Sequence, residues 1–334
     1  MIHLVQLTNG SSRRVAVVEE PYLRCVVGAS SVYELLGLLS KTGGTFSEMV
    51  RYHATGELLE YDPIYTGESD WKLLPPIDVP GEPQRCMVSG TGLTHMGSAR
   101  DRQAMHSVEA ASVTDSMRMF SWGVEGGRPE DGKIGIAPEW FYKGDGSIVR
   151  AHLEPLTTPD YAEDGGEEAE VAGIYYIAFD GTPQRIGLCT GDEFSDHKFE
   201  KRNYLNLAGS KLRNCSLGPE LVVGASFQAI SGRISIERKG ATLWEKAIET
   251  GEENMCHSLA NMEHHHFKFD AHRQPGTIHI HFYGAHSLSF GDGIELAQSD
   301  WVTVSFEGLG RPLRNPIMRK SSANLSPVHV TALS

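Results

Sequence analysis

Apolar and polar residues follow one another in short runs over most of this chain, and long stretches with helical spacing are few. Beyond residue 150, strand-like runs separated by Gly, Asp and Pro turns occupy 171–179, 185–190, 220–224, 229–237, 276–283 and 301–306. Short strands with frequent turn residues are typical of a β-sandwich or a rolled sheet. The pattern therefore predicts an α+β fold that is rich in β-strands.

The first 85 residues predict a smaller α+β unit. Apolar residues have helical spacing over 26–41, and 46–57 is a further amphipathic segment. Four prolines in 74–83 then favour an extended connector, because proline also restricts the residue before it. We therefore predict a small N-terminal domain at 1–85 and a larger catalytic domain at 86–334, with about 12 disordered residues at the C-terminus.

Residues 86–95 predict a strand that runs into a glycine turn, and 98–120 predict a helix. The glycines of this turn do not form the GxGxxG fingerprint of dinucleotide-binding proteins, since Gly90 and Gly92 are followed by Gly97. A nicotinamide or flavin site is therefore not expected.

The charge and the cysteines narrow the classes of partner and compartment. A formal net charge of -13 argues against nucleic acids and anionic membranes as partners. The N-terminal residues lack the basic start and apolar core of a signal peptide, and no apolar run approaches the length of a membrane span. The five cysteines are scattered without CxxC spacing, so we expect reduced thiols in a cytoplasmic protein.

Two carboxylates stand at the start of an apolar run. Glu168 and Glu170 are two residues apart and lead into 171–177, so a strand here would point both carboxylates to the same side. By spacing alone, a solvated acidic strand end is the commoner explanation, and the neighbouring Glu167 is predicted to lie on the surface.

A third carboxylate follows on the next predicted strand. A hairpin turn at 180–183 leads to a second apolar segment, which ends in Asp192 and Glu193. Three oxygen donors, with positions left for water and substrate, suit Mg²⁺ or a similar hard cation. The sequence thus predicts a metal site between two adjoining strands.

The histidines of the C-terminal third suggest zinc as an alternative. His279 and His281 share one face of a predicted strand, and 264–266 is a run of three histidines. No HExxH motif or Cys/His spacing accompanies them, and 278–282 alternates as an ordinary half-buried strand does. Zinc is therefore the less favoured interpretation.

Longer motifs resemble a known family. The sequence is similar to the fumarylacetoacetate hydrolase superfamily over residues 86–317, and more closely to its GguC-type proteins and 2-keto-3-deoxy-pentonate dehydratases. This resemblance implies a mixed β-sandwich roll with a smaller N-terminal domain, assembled as a homodimer or a dimer of dimers. The runs that carry it are Glu168-Ala169-Glu170, Gly-Thr-Gly-Leu-Thr-His at 90–95, Pro-Glu-Trp-Phe-Tyr-Lys at 138–143, Glu-Phe-Ser-Asp-His at 193–197 and Arg-Pro-Leu-Arg-Asn at 311–315.

The resemblance also implies the metal and its ligands. Family members bind Mg²⁺ or Ca²⁺ through three acids, which correspond here to Glu168, Glu170 and Glu193, and Mn²⁺ is a further alternative. Glu193 stands where most members have Asp, and Asp192 stands where they have Asn. Asp192 therefore remains an alternative third ligand.

Residues on the substrate side follow from the same motifs. Lys211, which precedes the Leu-Gly-Pro turn at 217–219, corresponds to a substrate-side lysine of the family. The motifs likewise imply substrate contacts for Lys143 and Thr94. His286 and Ser287 lie near a substrate turn that contains Gly-Thr in the family, but the threonine is missing here.

One departure from the family pattern indicates the reaction. Hydrolases and decarboxylases of this superfamily carry a His-x-x-Glu dyad that activates water, whereas Ser98 and Asp101 stand at that place here. Without this base, hydrolysis loses its usual route, but dehydration does not need it. The resemblance therefore implies dehydration of a sugar-derived 2-keto-3-deoxy acid, such as 2-keto-3-deoxy-L-arabinonate, to 2-oxoglutarate semialdehyde.

In the mechanism that this implies, a small 2-keto acid chelates Mg²⁺, which stabilises the enolate that forms when a C3 proton leaves. Lys211 is the candidate base and Glu139 the candidate acid for the departing C4 hydroxyl, and the sequence equally allows the exchanged roles. Ser98 would hold a substrate oxygen. Two alternatives stay open: an acylpyruvate hydrolase or oxaloacetate decarboxylase, and a non-catalytic regulatory protein that binds a sugar acid.

Overall fold

Two β-sheets form most of the structure. A computed structural model describes residues 1–100, 114–320 and 326–333. Within these residues the strands form one sheet of 13 strands and a second of five. The predicted strand-rich α+β architecture is thus confirmed, and it is a fold in which helices pack on mixed sheets.

The strands of the larger sheet are β1 (Ile2–Thr8), β2 (Arg13–Glu19), β3 (Tyr22–Cys25), β4 (Leu58–Glu60), β5 (Lys72–Leu74), β6 (Cys86–Gly92), β7 (Glu139–Asp145), β8 (Val149–Arg150), β10 (Ala169–Ile177), β11 (Pro183–Asp192), β12 (Cys215–Leu217), β13 (Leu221–Val223) and β16 (Ile278–Phe282). Their main order is β4-β3-β2-β1-β13-β11-β10-β16-β6-β7, with β5, β8 and β12 paired beside this path.

The smaller sheet contains β9 (Leu156–Thr158), β14 (Ile230–Arg238), β15 (Ala241–Thr250), β17 (Trp301–Phe306) and β18 (Leu313–Arg319). Their order is β15-β14-β17-β18-β9.

The helices are short. They are α1 (Val32–Thr42), α2 (Phe46–His53), α3 (Tyr61–Tyr65), α4 (Asp115–Gly126), α5 (His197–Arg202), α6 (Leu207–Lys211) and α7 (Leu259–Phe267). α1 begins later than its apolar spacing predicts, because the Ser31 side chain caps it by accepting from the Glu34 amide. Of the helix predicted at 98–120, residues 96–100 and α4 are helical, and 101–113 lie outside the described residues.

β10 lies at the centre of the core. All nine of its residues are buried. Ala172, Ile174 and Tyr176 pack into one apolar cluster, while Val171 and Ile177 pack into another that includes the smaller sheet. Because successive side chains point to opposite faces, a strand covered on both faces reads as a continuous apolar run. The start of β10 is therefore a rigid place from which to project polar groups.

The N-terminal strands continue the larger sheet. β1 pairs antiparallel with β13, and Leu4 lies opposite Leu221. Apolar residues from both predicted domains share one cluster, among them Leu35 and Ile280. The division at residue 85 stays a prediction.

Two further sequence expectations concern the described residues. The five cysteines, all within the described ranges, are buried and form no disulfide. No helix in the described part of the chain has the length and apolar character needed to cross a membrane.

Candidate metal centre and active site

Three buried carboxylates meet where β10 begins and β11 ends. The strands pair antiparallel with Glu170 opposite Gly191, and the Glu193 amide donates to the Glu168 carbonyl at 2.9 Å. One carboxylate oxygen from each of Glu168, Glu170 and Glu193 lies within 4.8 Å of the others. The three side chains are 3%, 2% and 0% exposed. The structure thus brings together the three acids that the sequence selected, and none is on a solvated strand end.

The charges of this cluster call for a cation. Burial, followed by the charges of Glu168 and Glu193, raises the pKa of Glu170 well above its ordinary value. Within the described residues, it is the one group of three or more His, Cys, Asp or Glu side chains placed to hold a metal ion. Carboxylate oxygens are hard donors, so the set fits Mg²⁺, Ca²⁺ or Mn²⁺ better than a softer metal.

Lys211 supplies a positive charge at the same place. It is the last residue of α6 and is fully buried. Its Nζ donates to Glu168 Oε1 and, at 2.5 Å, to Glu193 Oε2. The Ser195 Oγ lies 2.9 Å away, and the Phe141 ring centroid lies 4.7 Å away. The ammonium group therefore contacts two of the three carboxylates directly.

β7 lines the cluster with one of its faces. Glu139, Phe141 and Lys143 are buried, and Tyr142 between them is exposed. The Lys143 Nζ pairs with Glu193 Oε1 at 2.6 Å and donates to the carbonyls of Phe194 and Lys211 at 2.7 and 3.0 Å. Two of these contacts are hydrogen bonds to backbone carbonyls, and the third is an ion pair with a cluster carboxylate. The substrate contact predicted for Lys143 stays a prediction.

Glu139 lies at the start of β7, on the face that carries Phe141. It is 5% exposed, and its carboxylate accepts a hydrogen bond from the Tyr204 hydroxyl. Tyr204 lies between α5 and α6, on the path that leads to Lys211. Glu139 thus shares a strand face with Phe141, whose ring lies below the Lys211 ammonium.

Thr94 reaches the cluster through the segment after β16. Its Oγ1 donates to the Tyr283 carbonyl at 2.9 Å, and the next amide, of Gly284, donates to Glu170 Oε2 at 2.7 Å. Gly284 has a φ of +97°, and a Cβ there would lie 2.0 Å from Thr94 Oγ1. Glycine is required because both the backbone conformation and the close approach exclude a side chain.

The other predicted substrate residues lie on the same loop or on the helical turn that follows Thr94. Ser98 is buried, and its Oγ donates to the His95 carbonyl at 3.2 Å. The His286 ring lies edge-on to the His95 ring, with centroids 5.9 Å apart. Ser287 is 2% exposed, and among the described residues its Oγ has no hydrogen-bond partner. Asp101, the other residue at the dyad position, lies outside the described residues.

Solved structures share this fold. A 2-keto-3-deoxy-D-arabinonate dehydratase complexed with magnesium and 2,5-dioxopentanoate superposes with a TM-score of 0.71 at 16% identity, over 96% of this chain and 99% of that chain. A 2-hydroxyhepta-2,4-diene-1,7-dioate isomerase from Mycobacterium marinum has a TM-score of 0.58 at 15% identity, over 96% of this chain and 99% of that one. The 5-carboxymethyl-2-hydroxymuconate delta-isomerase from Mycobacterium smegmatis has a TM-score of 0.56 at 15% identity, with coverages of 95% and 100%. No protein-family model and no curated protein sequence matches the chain.

The chain has the fumarylacetoacetate hydrolase fold. The fold expected from the resemblance is confirmed, and the likeness covers 96% of the chain. The fold alone does not assign the site residues or the reaction, because one fold hosts many functions.

Asp192, the alternative ligand, has a structural task. Its Oδ1 accepts from the amides of Glu168 and Phe194 at 3.1 and 3.2 Å. Burial, and then the charge of Glu167, raises the pKa of Asp192 to about 8. Asp192 thus ties the two strand ends together, and Glu193 takes the place within the carboxylate cluster.

His197 is a site residue that the sequence reading did not select. It begins α5, and its Nε2 lies 3.1 Å from Glu168 Oε1. Burial disfavours the imidazolium, but the hydrogen bond and charge of Glu168 outweigh it and raise the pKa of His197. The position of His197 in the Glu-Phe-Ser-Asp-His motif at 193–197 is the sequence feature that could have identified it.

The surface position predicted for Glu167 is wrong. Glu167 is 1% exposed, and both of its carboxylate oxygens accept from Ser289. The sequence has no signal for this, because the partner lies 122 residues away.

His266, His279 and His281 pack close to one another in the interior. The His266 Nε2 lies 2.9 Å from His279 Nδ1, and the Ser89 and Thr91 hydroxyls lie 2.9 and 2.8 Å from the two nitrogens of His281. No group of these histidines within the described residues is placed to hold a metal. The less favoured zinc interpretation therefore gains no support.

This packing predicts that the folded protein loses stability at acidic pH. Burial, then the neighbouring His279 and His272, lowers the pKa of His281 to about 3, whereas an unfolded histidine has a pKa of about 6.5. Below pH 6.5 the unfolded chain therefore binds a proton that the folded chain does not, so stability falls as the pH falls. Relative to His281→Gln, the wild type should lose about 2 kcal/mol of unfolding free energy between pH 8 and pH 5.

The measurement is urea unfolding at both pH values, with His329→Gln at an exposed position as the matched control. An equal loss in wild type and His281→Gln would contradict a neutral, buried His281.

Proposed function

We propose that this protein is a divalent-cation-dependent hydro-lyase that dehydrates a 2-keto-3-deoxy sugar acid of the arabinonate type to 2-oxoglutarate semialdehyde. The observation that carries the proposal is the buried cluster of Glu168, Glu170 and Glu193 with Lys211 in direct contact. A buried site with three hard oxygen donors and a lysine is suited to carbanion chemistry next to a ketone.

The similar dehydratase supports the choice of reaction. It was solved with magnesium and 2,5-dioxopentanoate, which is another name for 2-oxoglutarate semialdehyde. At 16% identity this likeness establishes the fold, and the substrate class rests on the motifs and on the site.

Glu168, Glu170 and Glu193 would hold the cation. When bound, the cation polarises the keto oxygen and carboxylate of the substrate and stabilises negative charge that develops there. Lys143 keeps Glu193 in place through its ion pair, and His197 does the same for Glu168. The cluster is thus held from both sides before substrate arrives.

Lys211 and Glu139 would share the proton transfers. One removes the proton from C3, and the other protonates the C4 hydroxyl, which leaves as water. The double bond that forms between C3 and C4 is conjugated with the ketone or its enol, and tautomerisation gives the aldehyde product. His286 and Ser287 are proposed substrate contacts, since they lie on the loop attached to Glu170 through Gly284. Thr94, which bonds to the carbonyl just before that loop, is a third. The family motifs support Ser98 and Lys143 as further contacts.

The test is turnover of L- and D-2-keto-3-deoxyarabinonate by purified protein with Mg²⁺, with product formation followed by NMR. We expect semialdehyde formation that stops in EDTA and returns with added Mg²⁺. An acylpyruvate and oxaloacetate belong in the same panel. Turnover of these two compounds alone would replace the proposal by a hydrolase or decarboxylase, and binding of pyruvate or oxalate without any turnover would replace it by a sugar-acid-binding regulator.

A further inference from the structure

A loop beside the carboxylate cluster is attached to the acidic segment at both ends. This loop, 284–289, follows β16 and carries His286 and Ser287. At its start the Gly284 amide donates to Glu170 Oε2 at 2.7 Å. At its end the Ser289 amide and hydroxyl donate to the two carboxylate oxygens of Glu167, each at 2.8 Å.

Glu167 is suited to this attachment and not to metal binding. It precedes Glu168, so the alternation of an extended chain directs the two side chains to opposite sides. Both of its oxygens are occupied by Ser289, and it is absent from the group of acids placed around a metal ion. A buried carboxylate that accepts two hydrogen bonds is a strong anchor, because loss of either partner leaves a desolvated group unpaired.

The attached loop carries a hydroxyl with no partner. Ser287 is buried, and its Oγ makes no hydrogen bond within the described residues. Buried hydroxyl groups in folded proteins are nearly always bonded, so one without a partner points to water or a ligand at that place. The loop that carries Ser287 also contacts Glu170 of the carboxylate cluster through the Gly284 amide.

We propose that Glu167 is a positioning residue for substrate binding. It fixes the 284–289 loop through Ser289, so that the Ser287 hydroxyl is held at the substrate site beside Glu170. The inference rests on the proposed function for the identity of the substrate, but the attachment itself can be measured without turnover.

The experiment compares Glu167→Ala, Ser289→Ala and the double variant with the wild type. Glu167→Ala should raise KM for the keto acid about tenfold, the fold-change for one buried hydrogen-bonded anchor. Ser289→Ala should raise KM less, because the amide of residue 289 still donates to Glu167. The kcat and the Kd for Mg²⁺ should stay within about twofold, because the cation ligands and Lys211 are untouched. The double variant should be no worse than Glu167→Ala, since Glu167→Ala by itself already removes both hydrogen bonds to Ser289.

Two further variants separate positioning from general destabilisation. Glu167→Gln should restore KM, because its amide can accept from the Ser289 amide and donate to the Ser289 hydroxyl. Glu163→Ala is the matched control in the same acidic run, where the carboxylate pairs with Arg202 at 3.0 Å on the surface side.

Amide hydrogen exchange and the Kd for oxalate give readouts that do not depend on turnover. Glu167→Ala should speed exchange at Ser289 and weaken oxalate binding about tenfold. If the wild type binds oxalate but turns over no keto acid, the proposed function fails, while the attachment of the loop by Glu167 can still be confirmed. Unchanged KM, oxalate Kd and exchange in Glu167→Ala would overturn the inference, as would an equal loss of Mg²⁺ affinity.

Discussion

Lys211→Met should lower kcat by about a thousandfold or more while the protein still binds Mg²⁺. The Lys211 ammonium lies within hydrogen-bond distance of Glu168 and Glu193, so the substitution removes the candidate proton-transfer group without removing a cation ligand. A positioned acid or base contributes on the order of 10² to 10⁴ to a rate. Because Lys211 also competes with the cation for the same carboxylates, the Kd for Mg²⁺ should be unchanged or lower.

The stability of Lys211→Met in EDTA provides a second test of the role of Lys211. Without the Lys211 ammonium and without metal, Glu168 and Glu193 lose the positive charge that they share in a buried site, so the unfolding free energy should fall by roughly 3 kcal/mol. Mg²⁺ should restore most of it. Steady-state kinetics, calorimetric Mg²⁺ titration and unfolding with and without EDTA make the test, with the exposed Lys201→Met as control. A kcat within tenfold of the wild type would remove Lys211 from the mechanism.

Glu170→Gln should weaken Mg²⁺ binding at least about 100-fold, since it removes one of three charged ligands. The amide oxygen of glutamine can still accept from Gly284, so the attachment of the adjacent loop is kept. Activity at Mg²⁺ concentrations near the wild-type Kd should therefore disappear while the fold remains.

The metal-free stability of this variant should change in the opposite direction. Burial and the charges of Glu168 and Glu193 raise the pKa of Glu170, so its ionised form is costly in the folded protein without a cation. A neutral glutamine removes that cost, and Glu170→Gln in EDTA should be at least as stable as the wild type at pH 8. Glu163→Gln is the control. Activity that survives both chelation and Glu170→Gln would rule out the metal mechanism.

Some parts of the site could be predicted because they depend on neighbours in sequence. The spacing of Glu168 and Glu170, the apolar run after them and the turn at 180–183 are local features, and the hairpin of β10 and β11 follows from them. The family motifs added Lys211, which a charge pattern alone would place on the surface.

Other parts depended on the register and packing of distant segments. The choice between Asp192 and Glu193 is decided by the pairing of β10 with β11, because Glu193 continues the register opposite Glu168 and so projects to the same face. A shift of one residue would have exchanged the two acids. The ten-residue strand β15 was missed because mostly exposed strands carry little apolar pattern.

By itself, then, the sequence determined the strand-rich fold class and which acids share a strand face, since both follow from periodicity along a few residues. Only the tertiary structure decided that Glu167 holds a loop 122 residues away, that Lys143 pairs with Glu193, and that His197 supports Glu168. The reason is physical: burial and charge pairing are set by whichever segments fold against a residue, and no local spacing encodes them.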